Sequence, residues 1–555
     1  MKRNIHTASS DVSARILRIL FWVVFAVSIW TTWHVTEQFL DADAASEMVL
    51  AKHWLDTGSI LSKDWIYGSE IRLLHMQLLY APLMLVFEDW HMVRFLGAVI
   101  GQCLYMASYA FLLRQAGMEK RYFYVGGTIL LLPVSVAYGR VILYHNHYLP
   151  NIIISFCLVG LFLGFVRKRD WKKPGTWLQL LAMLTLSFLS GVNSLRQLMV
   201  THGPLVLMLL AFCFLEDSRS SQPEKAAMLQ PERLRVLLTA GVNALASLAG
   251  LVVNKLLVKW GYMVSVEHDG NMLDLQDGAF LDEMLHGYFH QFGFRERIYL
   301  ITPAGILAVL GLFLGGYAAV VAVKRLKAWN GEEDIRKAVV CNFFLFYTGV
   351  MLVVFLMTGN SGYYYPLYLS LCLPWAVPML LDNFFRTPKH YHVLHGKRLF
   401  AWVSILILVL NGAANLTWFH GSKLFDQPYE GLTAQSPDKK QAISGFVDYA
   451  VDNGYDVGYS LYWEANLVSE MTNGKLPMIS VNGVERNLVY CNCLTSLWLR
   501  EIPAQKPFFL LDAYFQPDFE NNSDSAQFCE LVYQDGRHCF YDIIDLEGFV
   551  ATLYS

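Results

Sequence analysis

Long apolar blocks recur along the 555-residue chain and set its hydrophobic pattern. The blocks are roughly 18–25 residues long, which is the length a helix needs to cross the hydrocarbon core of a bilayer. The first ends near Trp33, and the others lie near 92–113, 122–140, 148–166, 176–190, 203–215, 234–257, 298–323, 338–357, 364–381 and 399–418. We therefore predict an α-helical polytopic membrane protein with about eleven spans.

Composition agrees with this pattern. Hydrophobic residues make up 55% of the chain and charged residues only 16%, whereas a soluble domain carries about 25% charged residues. The net charge of −3 gives no support to nucleic-acid binding. The chain also contains no P-loop, dinucleotide-binding fingerprint, Cys-x-x-Cys pair or zincin motif.

The N-terminus predicts the orientation of the first span. Lys2, Arg3, Arg15 and Arg18 precede or open the first apolar block, and no small-residue cleavage signal follows it. We therefore expect an uncleaved first span with a cytoplasmic N-terminus in a multi-pass protein of the cell membrane.

A further block, 73–87, is ambiguous, and the charge of the loops helps to decide its role. If this block does not cross, the cytoplasmic segments hold 25 basic residues, and the opposite side before the last span holds 10. If it crossed, the cationic loops after it would face outward. The positive-inside bias therefore favours a peripheral or re-entrant helix on the outer side over an ordinary span.

This topology predicts two domains. Residues 1–419 form the transmembrane domain, whose outer loop at 34–91 contains acids and peripheral helices. Residues 420–555 form an extracytoplasmic domain with 19 acidic and 8 basic residues and with strand-like runs at 508–511 and 540–544. Asn-Gly and Asp-Gly turns separate its short elements, which predicts a small α/β or α+β domain.

Four of the nine cysteines lie in this terminal segment: Cys491, Cys493, Cys529 and Cys539. An even set outside the cytoplasm can form two disulfides. Cys491 and Cys493 are too close in sequence to favour bonding each other, so each would join Cys529 or Cys539. Four reduced thiols are an equally weighted alternative.

Three acids follow the first span directly. Asp41 and Asp43 are two residues apart, and Glu47 comes one helical turn later. Asp41 at a helix start can simply cap the helix. However, clustered acids at the membrane boundary are costly unless they are paired, coordinated or used. Two such carboxylates can hold a divalent cation, Mg or Mn, or act as a general base toward a hydroxyl.

Cationic side chains lie near the predicted outer ends of several spans. They are Arg72, Arg94, Arg140 and Arg196. Arginine matches phosphate oxygens with two parallel hydrogen bonds, so these residues suit a lipid-phosphate head group, although snorkelling to phospholipids explains one or two of them equally well. His145 and His147 follow Arg140 and offer metal ligands as another interpretation.

These features together resemble the integral-membrane glycosyltransferases of the GT-C fold. The resemblance rests on a first span, an outer loop that opens with Asp-x-Asp, a peripheral helix, and an Arg a few residues into the next span, at Met92–Gly97. Within that group the chain is similar to bacterial relatives of protein O-mannosyltransferases and aminoarabinose transferases. The stretch from Val457 to Gly474 also looks like the outer domain of some bacterial members.

The resemblance implies a function and roles for individual residues. Such enzymes pass a sugar from a polyprenyl-phosphate donor to the hydroxyl of a glycan, lipid or protein acceptor on the outer face. Asp41 would be the catalytic base or metal contact and Asp43 the second acid. Substrate-binding roles would belong to Arg72, Arg140, His145, Asn193 and Arg196. Many relatives carry Lys-Pro-Pro before the peripheral helix, whereas this chain reads Glu-Ile-Arg-Leu-Leu-His at 70–75, so the contact to the donor phosphate differs here.

Two other function classes compete with the enzyme. A transporter or flippase of lipid-linked or small solutes would show internal repeats and polar groups at mid-membrane. The chain has no convincing repeat, and its ionisable residues cluster at the ends of spans. A non-catalytic scaffold whose outer domain binds cell-wall polymer is the third class.

Overall fold

The structure is a computed structural model of the chain, and it describes residues 2–40, 42–68, 71–144, 147–167, 172–217, 231–263, 288–294, 300–329, 333–358, 371–385, 391–420, 438–484, 488–491, 493–495 and 505–553. The chain divides into two compact units. The first comprises residues 1–32, 101–253 and 269–429, and the second comprises 33–100, 254–268 and 430–555. The second unit therefore combines the predicted first outer loop with the predicted terminal domain, while the expected division at residue 419 stays a prediction.

Helices dominate the described residues before position 421. In chain order they are α1 (Lys2–Gln38), α2 (Ala42–Thr57), α3 (Gln77–Met84), α4 (Trp90–Gln115), α5 (Lys120–Leu131), α6 (Val136–Leu143), α7 (Leu149–Arg167), α8 (Pro174–Asn193), a π-helix at Leu198–His202, α9 (Gly203–Asp217), α10 (Pro231–Lys259), α11 (Pro303–Lys327), α12 (Ile335–Thr358), α13 (Cys372–Phe385) and α14 (Tyr391–Phe419).

Within the described ranges, nine helical segments are long and apolar enough to cross a membrane. They are Arg15–Thr36, Trp90–Gln115, Leu149–Arg167, Pro174–Asn193, Leu198–Leu215, Arg233–Lys259, Pro303–Lys327, Ile335–Phe355 and Leu399–Phe419. Each coincides with a predicted block, so the prediction of a polytopic helical membrane protein is confirmed. The block at 364–381 lies partly outside the described residues, and α13 covers its described end.

The block at 122–140, which counts as one predicted span, is divided into two helices. It consists of α5 and α6, which meet at an angle of 103°. Pro133 follows Leu132, whose backbone is extended with φ −90° and ψ 136°, because a residue before proline is disfavoured in the helical region. Ser135 then starts α6, and its hydroxyl accepts a hydrogen bond from the backbone N–H of Tyr138 at 3.1 Å.

The ambiguous block at 73–87 contains only the eight-residue helix α3, with Pro82 inside it. Eight residues of α-helix extend about 12 Å, far less than the roughly 30 Å of a bilayer core. As a helix this block is too short to cross, which supports the peripheral interpretation.

The terminal segment of the second unit is an α/β domain. It contains β2 (Val457–Leu461), β3 (Met478–Asn482), β4 (Val489–Tyr490), β5 (Leu494–Thr495), β6 (Pro507–Asp512), β7 (Cys529–Gln534) and β8 (His538–Ile543). The short strand β1 (Trp65–Ile66) lies earlier in the chain, in the predicted first outer loop. Its helices are α15 (Asp438–Asp452), α16 (Tyr462–Met471), α17 (Gln516–Asn522) and α18 (Leu546–Ala551). The six-stranded sheet has the order β4-β3-β2-β6-β8-β7, with β2 parallel to both β3 and β6.

Both faces of this sheet are covered. Phe509 points to the face that carries α17 and α18, and Phe508 points to the opposite face. On that second face Leu467 of α16 packs in one apolar cluster with Ala45 of α2. The loop after the first span therefore supplies part of the hydrophobic core of the terminal domain. A second link is the antiparallel pairing of β1 with β5.

The sheet order also explains the state of the cysteines. Cys491, Cys493, Cys529 and Cys539 all lie in the described residues, and none of them forms a disulfide. Cys491 directly follows β4 at one edge, and Cys539 lies four strands away in β8, which is about 19 Å at the usual strand spacing. A disulfide needs Cα atoms within about 7 Å. The predicted pairing across the domain is therefore wrong, and the alternative of four thiols is correct.

Candidate active site

The turn between α1 and α2 carries the predicted acids. Asp41 lies outside the described residues, so its predicted role stays a prediction. Asp43 lies in the first turn of α2, where the helix dipole favours a negative charge. Asp43 is only 5% exposed to solvent. The Ser46 hydroxyl donates a hydrogen bond to the backbone carbonyl of Asp43 at 2.7 Å and ties this first turn together.

The carboxylate of Asp43 is bound by a side chain from the terminal domain. The Tyr462 hydroxyl, at the start of α16, donates a hydrogen bond to Asp43 Oδ1 at 2.5 Å. Burial, then the nearby Asp43 and Cys493, raise the pKa of Tyr462 well above its usual range. The phenol is therefore protonated at any physiological pH and acts as a donor to the carboxylate.

Arg72 lies beside the same turn. Its guanidinium Nη1 donates a hydrogen bond to the Ser46 hydroxyl at 2.8 Å, and its backbone carbonyl accepts one from the side-chain amide of Gln77 at 2.5 Å. The Gln77 contact links Arg72 to the first turn of α3, so the peripheral helix positions this cation.

Several acidic groups lie around Arg72. Burial alone lowers the pKa of Arg72, but four neighbours outweigh burial and raise it above its usual value. They are Cys493, Tyr462, Glu47 and Asp43. Arg72 is therefore a permanent cation that shares an environment with both carboxylates.

A second buried pair lies one helical turn along α2. Glu47 Oε1 is 3.2 Å from His75 Nδ1, and both side chains are 1% exposed. One oxygen and one nitrogen are two ligands, whereas Mg²⁺ demands an octahedral shell that consists mainly of oxygens. This pair therefore does not make a magnesium site by itself, and the possible divalent cation at Asp41 and Asp43 stays a prediction.

Arg94 holds the end of the first helix. Its guanidinium donates hydrogen bonds to the carbonyl oxygens of Phe39, at 3.0 Å, and of Thr36. Its Nε is 2.7 Å from Glu470 Oε1 of α16 in an ion pair whose side chains are 1% and 3% exposed. The arginine on which the family resemblance partly rests thus fixes the helix end that precedes the acids.

The remaining predicted residues belong to the first unit, apart from His145, which lies outside the described residues. Arg140 is in α6 and 8% exposed, and Asn193 ends α8 and is 5% exposed. The half-buried Arg196 places its guanidinium 5.4 Å from the ring centre of Tyr148. The structure therefore brings Asp43 and Arg72 together in the second unit. Arg140, Asn193 and Arg196 belong to the first unit.

Sequence reasoning missed Tyr462 and Glu470 as partners of this region, and it missed the contact of His75 with Glu47. Tyr462 directly follows β2, whose five residues are all buried, and ligand sites of parallel sheets gather at the carboxyl ends of strands. That position was the one signal available for Tyr462. His75 and Glu470 carry no such signal, because their partners depend on packing between distant segments.

Comparison with known proteins gives a fold. The chain matches no protein-family model, and no curated protein sequence matches it. Among solved structures, ArnT from Cupriavidus metallidurans bound to undecaprenyl phosphate superposes with a TM-score of 0.53 at 11% identity, over 95% of this chain and 98% of that one. The apo state of the same protein gives a TM-score of 0.50 at 11% identity, over 96% and 99%. This chain is thus a polytopic membrane protein with the fold of that ArnT structure, which is the GT-C fold expected from the sequence.

Proposed function

We propose that this protein is a membrane glycosyltransferase that moves a sugar from a polyprenyl-phosphate donor to an acceptor hydroxyl. The observation that carries the proposal is the buried Asp43 beside the permanent cation Arg72, on the loop after the first span of a GT-C fold. A buried acid and a cation in one environment suit a site where an acceptor hydroxyl binds near carboxylates and a leaving phosphate meets a counter-charge.

The proposed donor class rests on the match between a phosphate leaving group and the cations of this chain. The ArnT structure with the same fold was solved with undecaprenyl phosphate, and the cations of this chain suit such a phosphate. Donor binding is assigned to Arg72, Arg140, His145, Asn193 and Arg196. The acceptor is a glycan, lipid or protein hydroxyl.

The reaction is a single displacement with inversion at the anomeric carbon. Asp41 takes the proton of the acceptor hydroxyl as its oxygen attacks that carbon, and Asp43 is the second acid of the site. The bond from the anomeric carbon to the phosphate oxygen breaks, and the polyprenyl phosphate leaves as a stable anion. Arginine stabilises the charge that develops on it, so no strong general acid is needed.

The proposal places the reaction outside the cytoplasm. The excess of basic residues in the loops on the N-terminal side supports a cytoplasmic N-terminus. By the same topology the terminal domain and the loop with Asp41 and Asp43 are extracytoplasmic, where polyprenyl-linked sugars and cell-surface acceptors meet.

The test is sugar transfer by the full-length protein in liposomes. Undecaprenyl-phosphate-linked radiolabelled hexoses and pentoses serve as donors, with the lipid, glycan and protein fractions of a bacterial envelope as acceptors. We expect Asp41→Asn to lower transfer by about 10²–10⁴-fold, the usual contribution of a general base, with normal expression and insertion. Asp56→Asn is the matched control, because Asp56 lies on α2 with its side chain 52% exposed.

If the wild type transfers sugar and Asp41→Asn transfers it at the same rate, Asp41 is not the base. Absence of transfer from every donor, together with no binding of undecaprenyl phosphate, would reject the enzyme.

The alternative is a transporter or flippase of lipid-linked or small solutes. The sharply bent pair α5 and α6 favours it, because broken helices form the substrate sites of many transporters. Movement of undecaprenyl-phosphate-linked sugar across the liposome membrane without transfer to an acceptor would select this alternative.

A further inference from the structure

Helix α16 of the terminal domain contacts the acid-bearing turn at two points. Its first residue, Tyr462, donates to Asp43 Oδ1. Eight residues later, Glu470 pairs with Arg94, which binds the carbonyl oxygens at the end of α1. The two contacts lie about 12 Å apart along the helix. They bind the turn on both sides, since one reaches the start of α2 and the other the end of α1.

This helix is itself held firmly. It connects the parallel strands β2 and β3, and its Ala465, Leu467 and Val468 are each 1% exposed within the apolar cluster that contains Ala45 of α2. A shift of α16 relative to α2 would open this cluster. The hydroxyl of Tyr462 therefore donates its hydrogen bond to Asp43 from a fixed position.

The chemistry of the contact suits orientation of a reactive carboxylate. The phenol of Tyr462 is a neutral donor, so its hydrogen bond orients the Asp43 carboxylate, while the nearby cation Arg72 supplies charge. Hydrogen bonds to ionised groups are about twice as strong as those between neutral groups. The bond thus restricts the rotation of the Asp43 side chain.

We propose that Tyr462 is a positioning residue for the acid site, which makes the terminal domain part of the catalytic apparatus. This role rests on the proposed glycosyl transfer. Tyr462 acts through Asp43, by holding its carboxylate in the orientation that the reaction uses. The terminal domain therefore contributes to catalysis through Tyr462, in addition to any role in binding the acceptor.

The test is the steady-state kinetics of Tyr462→Phe in the liposome assay. We expect kcat to fall about ten- to a hundred-fold, the effect of losing one hydrogen bond to a charged group. The KM for the undecaprenyl-phosphate-linked donor should remain within about twofold, because orientation of an acid in the transition state leaves donor binding unchanged. Tyr514→Phe is the matched control, since Tyr514 belongs to the same domain and is 80% exposed.

Two further measurements separate positioning from a purely structural role. Tyr462→Phe should cause no further loss of kcat when Asp43→Asn is already present, because Tyr462 acts only through the Asp43 carboxylate, which that change removes. Replacing Tyr462 with p-aminophenylalanine, which keeps an N–H donor at the para position, should restore a large part of kcat. This replacement also tests the role if the phenylalanine variant fails to fold.

Each outcome has a distinct meaning. A kcat equal to the wild type in Tyr462→Phe, additive losses in the double variant, or no rescue by p-aminophenylalanine would overturn the role of Tyr462 and leave the proposed function standing. A wild-type protein that transfers no sugar from any of the donors would overturn the proposed function and the role of Tyr462 with it.

Discussion

Two buried aspartates, one in each unit, show how the partners of a carboxylate determine what it can do. In the first unit Asp382 is 0% exposed, and its oxygens lie 2.7 Å from Arg325 Nη1 and 2.5 Å from Lys337 Nζ. In the second unit Asp43 accepts a hydrogen bond from the neutral Tyr462. Two cations thus contact the Asp382 carboxylate directly, whereas a neutral phenol donates a hydrogen bond to the Asp43 carboxylate.

The surroundings of Asp382 are those of a structural joint. Besides the two cations, the hydroxyl of Tyr122 donates a hydrogen bond to Asp382 Oδ1 at 3.2 Å. These four side chains belong to α5, α11, α12 and α13, so the cluster ties four helices together. We expect its loss to affect stability, and we expect changes around Asp43 to affect catalysis.

The largest expected effect is on stability. Asp382→Asn leaves Arg325 and Lys337 with less than their full counter-charge inside the protein, and breaking a buried pair in this way costs roughly 3–5 kcal/mol. Thermal unfolding of the purified protein in detergent measures the loss. Asp334→Asn is the control, because Asp334 forms an ion pair with Arg336 and is 44% exposed, where such pairs contribute about 0–1 kcal/mol. Equal unfolding midpoints for the two variants would contradict the structural role of Asp382.

An intermediate effect is expected at Arg72. Arg72→Lys keeps the charge but loses the planar group that can bind two phosphate oxygens. We expect the KM for the undecaprenyl-phosphate-linked donor to rise about tenfold, which is the loss of one such hydrogen bond, with little change in stability. Arg121→Lys, at a side chain that is 44% exposed, should leave KM unchanged. An unchanged KM in Arg72→Lys would remove Arg72 from the donor site.

The smallest expected effect is a pH dependence within the second unit. His53 on α2 is 4% exposed, and burial lowers its pKa from 6.5 although Asp64 and Asp56 oppose the shift. His53 therefore binds a proton more readily in the unfolded chain than in the folded one. The free energy of unfolding is highest above about pH 6.5, where His53 is neutral in both states, and it decreases as the pH falls below that value. The unfolding midpoint should therefore drop between pH 7.5 and 5. His53→Gln should flatten that drop, and an identical profile in the variant would exclude His53 as its cause.

Two features could not be predicted from the sequence: the bend between α5 and α6, and the absence of disulfides among the four cysteines of the terminal segment. The hydropathy of 122–140 predicts one span, because an apolar block carries no direct sign of a 103° change in direction. Pro133 is a visible helix breaker, but its effect on direction depends on the packing of the two halves. The cysteine spacing predicts a disulfide framework, but the order of the strands separates the thiols by more than a disulfide can reach.

The sequence by itself determined the membrane helices, the α/β character of the terminal domain and the presence of acids after the first span. These are local properties, because every backbone polar group of a span must bond within its own helix and a run of about 20 apolar residues records that demand. Only the tertiary structure decided which side chains meet those acids. Tyr462 and Asp43 are 419 residues apart in the chain, and no local pattern encodes such a contact. It arises because burying α2 against α16 brings a phenol and a carboxylate together out of water, where each needs a hydrogen-bond partner.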